Sequence, residues 1–280
     1  GYKIDRGDEH DLFLLFTRTK EVPDYMANYN GILFPKMAFE GLEKRHGDDR
    51  FVFARTAYDK GRQYTALWNG DTGGWKGLQE SIKHGLRSGS INFPMWGTDT
   101  GGYKKTDEKL FARWMHFSVY SPMMEVLIGP DRTPWYDFKP AYLDAIRKAA
   151  VTRHDLIPYL RSMLYQATQT GMPVMRQMNF EFPADEALAD VATQYMYGSE
   201  LLVSPVTSEG AEKQTVLLRP VAGSSIMTRS GLTRASRPRS RSRCVRGFRI
   251  FRSSPARARS FPGGTSPASA TAGPRIGRPS

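Results

Sequence analysis

Two aspartates, Asp5 and Asp71, each close a short apolar run: Tyr2–Asp5 for the first, and Thr65–Asn69 followed by Gly70-Asp71 for the second. Cleaving a glycosidic bond with retention of configuration needs two carboxyl groups on opposite faces of the anomeric carbon, about 5–5.5 Å apart. One attacks the sugar; the other protonates the leaving oxygen and later deprotonates water. Carboxyls distant in sequence meet this need if each ends a different strand of a parallel barrel, because the C-terminal strand ends share one face. Two further runs end in the same way, at Arg55 and at Trp96-Gly97-Thr98-Asp99. Any one of these ends reads equally as a helix cap or a turn. That is a poor account of all of them together.

The elements that must position these residues follow from the pattern. Residues 1–170 alternate short apolar runs with helical stretches, as βα units do. The predicted strands are Tyr2–Asp5, Arg50–Arg55, Thr65–Asn69, Ile91–Trp96 and Met124–Ile128. The predicted helices are Tyr29–His46, Leu78–Ser88, Lys109–Ser118 and Pro140–Gln169. Beyond them, Ser199–Val206 and Gln214–Leu218 read as the opening strands of a separate β-sandwich.

Composition excludes several function classes. The single cysteine, Cys244, rules out an internal disulfide framework and a multi-cysteine zinc site. His10, His46, His84, His116 and His154 lack the paired spacing of a helical metal site, so neither a metal nor an organic cofactor is expected. No apolar run approaches the roughly 20 residues that span a bilayer. The net charge of +12 would suggest nucleic acid, but it is not spread along the chain. Residues 226–280 hold 13 Arg and no Lys, Asp or Glu, which leaves 27 basic against 28 acidic residues in the rest. The part that folds is close to neutral.

Several segments, in order, resemble blocks of glycoside hydrolase family 31, of the α-xylosidase and α-glucosidase type. Lys3-Ile4-Asp5-Arg6-Gly7-Asp8-Glu9 resembles its nucleophile segment. Phe53-Ala54-Arg55-Thr56-Ala57 and Leu67-Trp68-Asn69-Gly70-Asp71 resemble its Ala-Arg-Ser stretch and its acid/base segment. Phe93–Tyr103, Arg153–Leu160 and Gly171–Arg176 resemble later blocks. The resemblance implies that Asp5 is the nucleophile and Asp71 the general acid/base, with Lys3, Arg55, Trp68, Trp96 and Asp99 shaping the sugar subsite. Lys3 and Arg55 near Asp5 would keep it ionised, and Asp71 would need surroundings that raise its pKa. Read as residues alone, Lys3 and Arg55 also suit a structural ion pair, Trp68 and Trp96 core packing, and Asp71 and Asp99 turns.

The sequence departs from the family pattern at two places. Tyr120-Ser121-Pro122-Met123-Met124-Glu125-Val126-Leu127 puts Glu125 and Leu127 where many members have the Arg and His of an Arg-x-His motif. Loss of that imidazole alters hydroxyl recognition. Asp8 also stands where a Glu is usual, unless Glu9 takes the place through a shift.

The expected architecture is α/β: residues 1–185 form a partial (β/α)8 TIM barrel from about its fourth strand, residues 186–225 start a C-terminal β-sandwich, and residues 226–280 are a disordered Arg-rich tail. The chain reads as beginning inside a domain, since it opens on Gly1-Tyr2-Lys3 without Met or a signal pattern. The expected substrate is an α-linked oligosaccharide or glycoside, with neither nucleic acid nor membrane as partner. Alternatives are an α-transglycosylase using the same carboxylates, a non-catalytic carbohydrate-binding relic, and a basic nucleic-acid-binding protein. The tail reads as the product of a shifted frame in a GC-rich gene. Reading the gene one nucleotide out of phase near Ser224 should restore a β-rich sequence with acidic and aromatic residues; no such continuation in either frame would make the tail genuine.

Overall fold

The computed structural model describes residues 1–8, 24–103, 106–127 and 133–218, together with the backbone of four short strands between 225 and 252. Strands β1 (Tyr2–Ile4), β2 (Val52–Ala54), β3 (Ala66–Trp68) and β4 (Trp96–Gly97) form one parallel sheet in sequence order. Registers Ile4↔Ala54, Ala54↔Leu67 and Leu67↔Trp96 bring the C-terminal ends of all of them to one edge. Helix α1 (Asp24–His46) joins β1 to β2, and α2 (Gly74–Ser90) joins β3 to β4. β5 (Asp99–Thr100) then pairs in parallel with β6 (Glu125–Val126) across α3 (Glu108–Ser118). This is a partial parallel barrel, as expected.

Helix α2 shows how local sequence seats an element. Leu78, Ile82 and Leu86 recur every fourth residue and are buried, making one apolar stripe. Gly85 lets the helix approach closely: a Cβ there would lie 2.9 Å from both Met175 and Trp96. Helix α3 starts where the Asp107 side chain accepts from the Leu110 N–H at 2.7 Å. It buries Phe111, Trp114 and Phe117.

Two expectations change on inspection. The run Ile91–Trp96 is a strand only from Trp96: Ile91 caps α2, Asn92 takes a positive φ of 64°, and Pro94 lacks an N–H. The stretch Pro140–Gln169 is two helices, α5 (Pro140–Asp155) and α6 (Ile157–Thr170), after the short α4 (Pro134–Asp137). Pro158 has no N–H for the preceding turn and disfavours helical backbone at Ile157, so it suits only the first turn of a new helix.

A second sheet takes its first strand, β7 (Met175–Arg176), ahead of the boundary expected at 186. After α7 (Met178–Glu181), β7 pairs antiparallel with β8 (Tyr195–Tyr197), which pairs with β9 (Leu201–Val203). β10 (Lys213–Val216) follows. The expectation of disorder from residue 226 falls largely outside the described residues. Within or at the start of that span, β11 (Ser225–Thr228) pairs with β12 (Gly231–Arg234), β13 (Arg243–Arg246) with β10, and β14 (Ile250–Arg252) with β9.

One core runs through both sheets: Trp96, Phe111, Trp114 and Phe117 pack in the same cluster as Tyr195, Tyr197 and Val203. Arg153 on α5 ties it off, donating to the carbonyls of Val119, Ser121 and Pro122 and to the Tyr197 hydroxyl. Phe117 sits between the layers, with its ring 6.4 Å from those of Trp96 and Tyr195. Phe117→Ala should therefore cost about 3–5 kcal/mol of stability, read from urea unfolding; a loss below about 1 kcal/mol would mean that the two layers do not share a core.

Candidate active site

The site is built at the C-terminal edge of the parallel sheet. Asp5 follows β1 directly, Arg55 follows β2, and Asn69-Gly70-Asp71 follow β3. The Arg55 N–H donates to the Ile4 carbonyl at 3.0 Å, extending the ladder past the strand and bringing the Arg55 side chain beside Asp5. Gly70 takes φ of 71°, and a Cβ there would press on the Arg55 Cδ at 3.2 Å, so the turn that presents Asp71 is specific to glycine.

Arg55 gathers the acidic groups. Its Nη1 lies 3.0 Å from Asp5 Oδ1 and 3.7 Å from Asp71 Oδ2. Its Nε and Nη2 both donate to Asp8 Oδ1, at 3.0 and 2.8 Å. Asp5 and Asp71 are open to solvent, at 60% and 42% side-chain exposure, whereas Arg55 retains only 14%. Because Asp5 and Asp71 share one nitrogen, their nearest oxygens are no further apart than the sum of those two distances. That leaves room for the roughly 5–5.5 Å separation of a retaining pair.

Lys3 is directed elsewhere. Its Nζ lies 2.5 Å from Asp99 Oδ1 and 2.5 Å from Glu125 Oε1, and 3.8 Å from the centre of the Trp68 ring. Burial lowers the Lys3 pKa, but the bonds to Asp99 and Glu125 outweigh it and leave it raised on balance. Of the cations expected beside Asp5, Arg55 is the one bonded to it, and Lys3 serves a second acidic pair. Burial pushes Glu125 up to about 7; the Asp99 carboxylate adds to this and Lys3 opposes it.

Both tryptophans are buried, at 4% for Trp68 and 2% for Trp96. Trp68 donates from Nε1 to the Ile4 carbonyl at 3.1 Å and so locks β3 to the strand that carries Asp5. Trp96 packs into the core against Phe117. Asp99 is also buried; its backbone carbonyl accepts from Gly102 at 2.8 Å in the turn that follows β5.

Further residues support the site without having been singled out in the sequence. Asn69 donates to Thr72 and Ser81 at 2.8 Å each, and its Oδ1 meets His84 Nδ1 at 2.5 Å. This network fixes the turn that carries Asp71. Burial, followed by Arg87, lowers the His84 pKa, so the neutral ring that donates to Asn69 is the favoured form. Only the side-chain position relative to β3 reveals such a partner; a lone histidine on a helix carries no sequence signal. Glu9 lies outside the described residues, so Asp8 alone represents the acidic place after Gly7. Among the described residues no cluster of His, Cys, Asp and Glu could hold a metal ion.

Residues 4–163 match the glycosyl hydrolases family 31 TIM-barrel domain, and residues 171–224 match the glycosyl hydrolase family 31 C-terminal domain. The chain belongs to glycoside hydrolase family 31. Neutral alpha-glucosidase AB of Homo sapiens is 33% identical over 68% of this chain and 21% of its own length. An alpha-xylosidase of Emericella nidulans is 32% identical over 67% of this chain and 24% of its own. The cycloalternan-degrading enzyme of Trueperella pyogenes, solved in complex with a covalent intermediate, superposes with a TM-score of 0.77. It is 25% identical, over 91% of this chain and 37% of that one. The chain thus spans under a quarter of the length of these two curated family 31 relatives.

Proposed function

We propose that this chain carries the catalytic carboxyls of a retaining α-glycoside hydrolase, of the α-glucosidase or α-xylosidase type. One observation carries the reading: Asp5 and Asp71, from the ends of β1 and β3, both reach Nη1 of Arg55 on the strand between them. The relatives named α-glucosidase and α-xylosidase support the substrate class, and the solved relative with a covalent intermediate supports a two-step route.

In the first step a carboxylate oxygen of Asp5 bonds to the anomeric carbon as the glycosidic C–O bond breaks, and Asp71 gives its proton to the departing oxygen. In the second, Asp71 takes a proton from water, whose oxygen replaces Asp5 on the anomeric carbon. Both aspartates end the cycle as they began it. Arg55 orients Asp5 and keeps the two carboxyls in one site; Lys3 and Asp99 border the sugar, and Trp68 and Trp96 hold those strand ends from behind.

In an active protein carrying this segment, Asp5→Ala should abolish turnover of aryl α-glucosides and α-xylosides, and a fluorinated sugar that traps the intermediate should label Asp5. Mass-spectrometric mapping of the label to another residue would remove Asp5 from the role.

Asp71→Ala should slow substrates with poor leaving groups by roughly 10²–10⁴-fold, and activated aryl glycosides far less. Azide should partly restore the second step, yielding a glycosyl azide. Equal losses on both substrate types, without rescue, would show that Asp71 is not the acid/base.

A further inference from the structure

Asp99 and Glu125 are direct register partners on the parallel strands β5 and β6, which sets their side chains side by side on one face. Both bond the same Lys3 Nζ at 2.5 Å, so one cation serves two carboxyl groups. Asp99 is 1% exposed, and two ionised carboxylates would leave it an uncompensated neighbouring charge out of water. Glu125 Oε2 is itself sealed from solvent, and among the described residues no donor reaches it. A buried carboxylate oxygen without a donor is a costly arrangement. Placing a proton on that atom removes both problems at once: the excess charge disappears, and the orphaned acceptor becomes a donor.

We propose that Glu125 is a positioning residue whose Oε2 carries a proton and donates it to Asp99, the joined pair holding Lys3 against Trp68 on the strand of Asp5. This rests on the reading that Asp99 and Lys3 border the sugar. Among the described residues, the ionisable groups facing Glu125 are Lys3 from β1 and Asp99 from β5, and they act in opposite senses. With Glu125 protonated, the cluster of Lys3, Asp99 and Glu125 is neutral. When Glu125 ionises, Lys3 must divide itself between two full charges, and the Asp99 side of the sugar site loosens. The place where many family members have an arginine thus holds a group that carries no charge while the proton stays.

Carbon-13 labelling of the glutamate carboxyls in the 280-residue chain, followed by NMR across about pH 4 to 9, tests the proton directly. One resonance, absent from Glu125→Gln, should titrate with a midpoint of about 7. A midpoint in the ordinary range of about 4–5 would overturn the proposal. If Glu125→Gln does not fold, Asp99→Asn replaces it: the high-titrating resonance should move down once the neighbouring charge is gone, and an unmoved one overturns the pair. The fold favours the protonated form, so its stabilising contribution is complete below about 4.5 and lost as pH rises through about 7. Glu125→Gln should lose that slope, and a slope equal to that of the wild type would count against the pair. For an aryl α-glycoside, KM should rise about tenfold per pH unit above that midpoint in the wild type and stay level in Glu125→Gln, with the pH dependence of kcat unchanged. A parallel rise in both proteins overturns the positioning role. In an active protein carrying this segment, the expected titration together with full turnover by Asp5→Ala upholds the pair and counts against the glycosidase reading built on Asp5.

Discussion

Two carboxylates brought close together repel, and the cation between them decides whether they can share a site. Here that cation is Arg55, whose guanidinium meets Asp5, Asp8 and Asp71 from the strand between the two candidate catalytic groups. The planar fork suits this role, because it offers several N–H groups in fixed directions and stays charged at any working pH. Asp5 and Asp71 are more than a third exposed, so these pairs contribute little to stability. Their value is geometric. Everything that places Arg55 therefore places the site: the register of β2 between β1 and β3, the N–H bond to Ile4, and the glycine at position 70 that lets the Asp71 turn lie on the arginine stem.

Behind this polar edge stand two buried indole rings, Trp68 and Trp96. Trp68 closes the space between β3 and β1 and offers its ring face to Lys3. A lysine on an indole face gains electrostatic attraction when water is kept away. Trp96 carries the packing inward to Phe117, and Phe117 carries it to Tyr195 of the second sheet. The second sheet is thus part of what keeps the strand ends rigid. The Tyr195 hydroxyl, donating to the Tyr120 carbonyl at 2.9 Å, ties that sheet to the segment leading into β6 and Glu125.

Two charge clusters result, each with its own cation, and they differ in setting. The Arg55 cluster is open to solvent, where water screens its members and a substrate can enter. The Lys3 cluster is less open, with Asp99 buried and Lys3 and Glu125 partly covered, and there burial makes an unbalanced charge costly. The first suits bond-making and bond-breaking; the second suits holding a neighbouring surface in one shape.

The residue types and their order were legible in the sequence: alternating apolar runs and helical stretches, polar groups closing the runs, and neighbours that resemble family 31 blocks. Those suffice for the parallel sheet and for Asp5, Arg55 and Asp71 on one edge, since strand ends of parallel units point the same way. The pairing of cations with carboxylates was not legible, because it depends on register between strands some 50 to 120 residues apart. Lys3 lies within β1 opposite Phe53, and Arg55 lies just past β2; the first reaches the Asp99–Glu125 pair and the second reaches Asp5. Nor could the sequence separate a tryptophan that packs from one that faces a sugar, since an indole serves both uses; the burial of Trp68 and Trp96 is a property of the tertiary structure. The break at Leu156 was visible in principle, because Pro158 marks it by lacking an N–H. The partnership of Asp99 with Glu125 was not, because only tertiary packing brings a buried and a partly buried carboxyl group to one lysine.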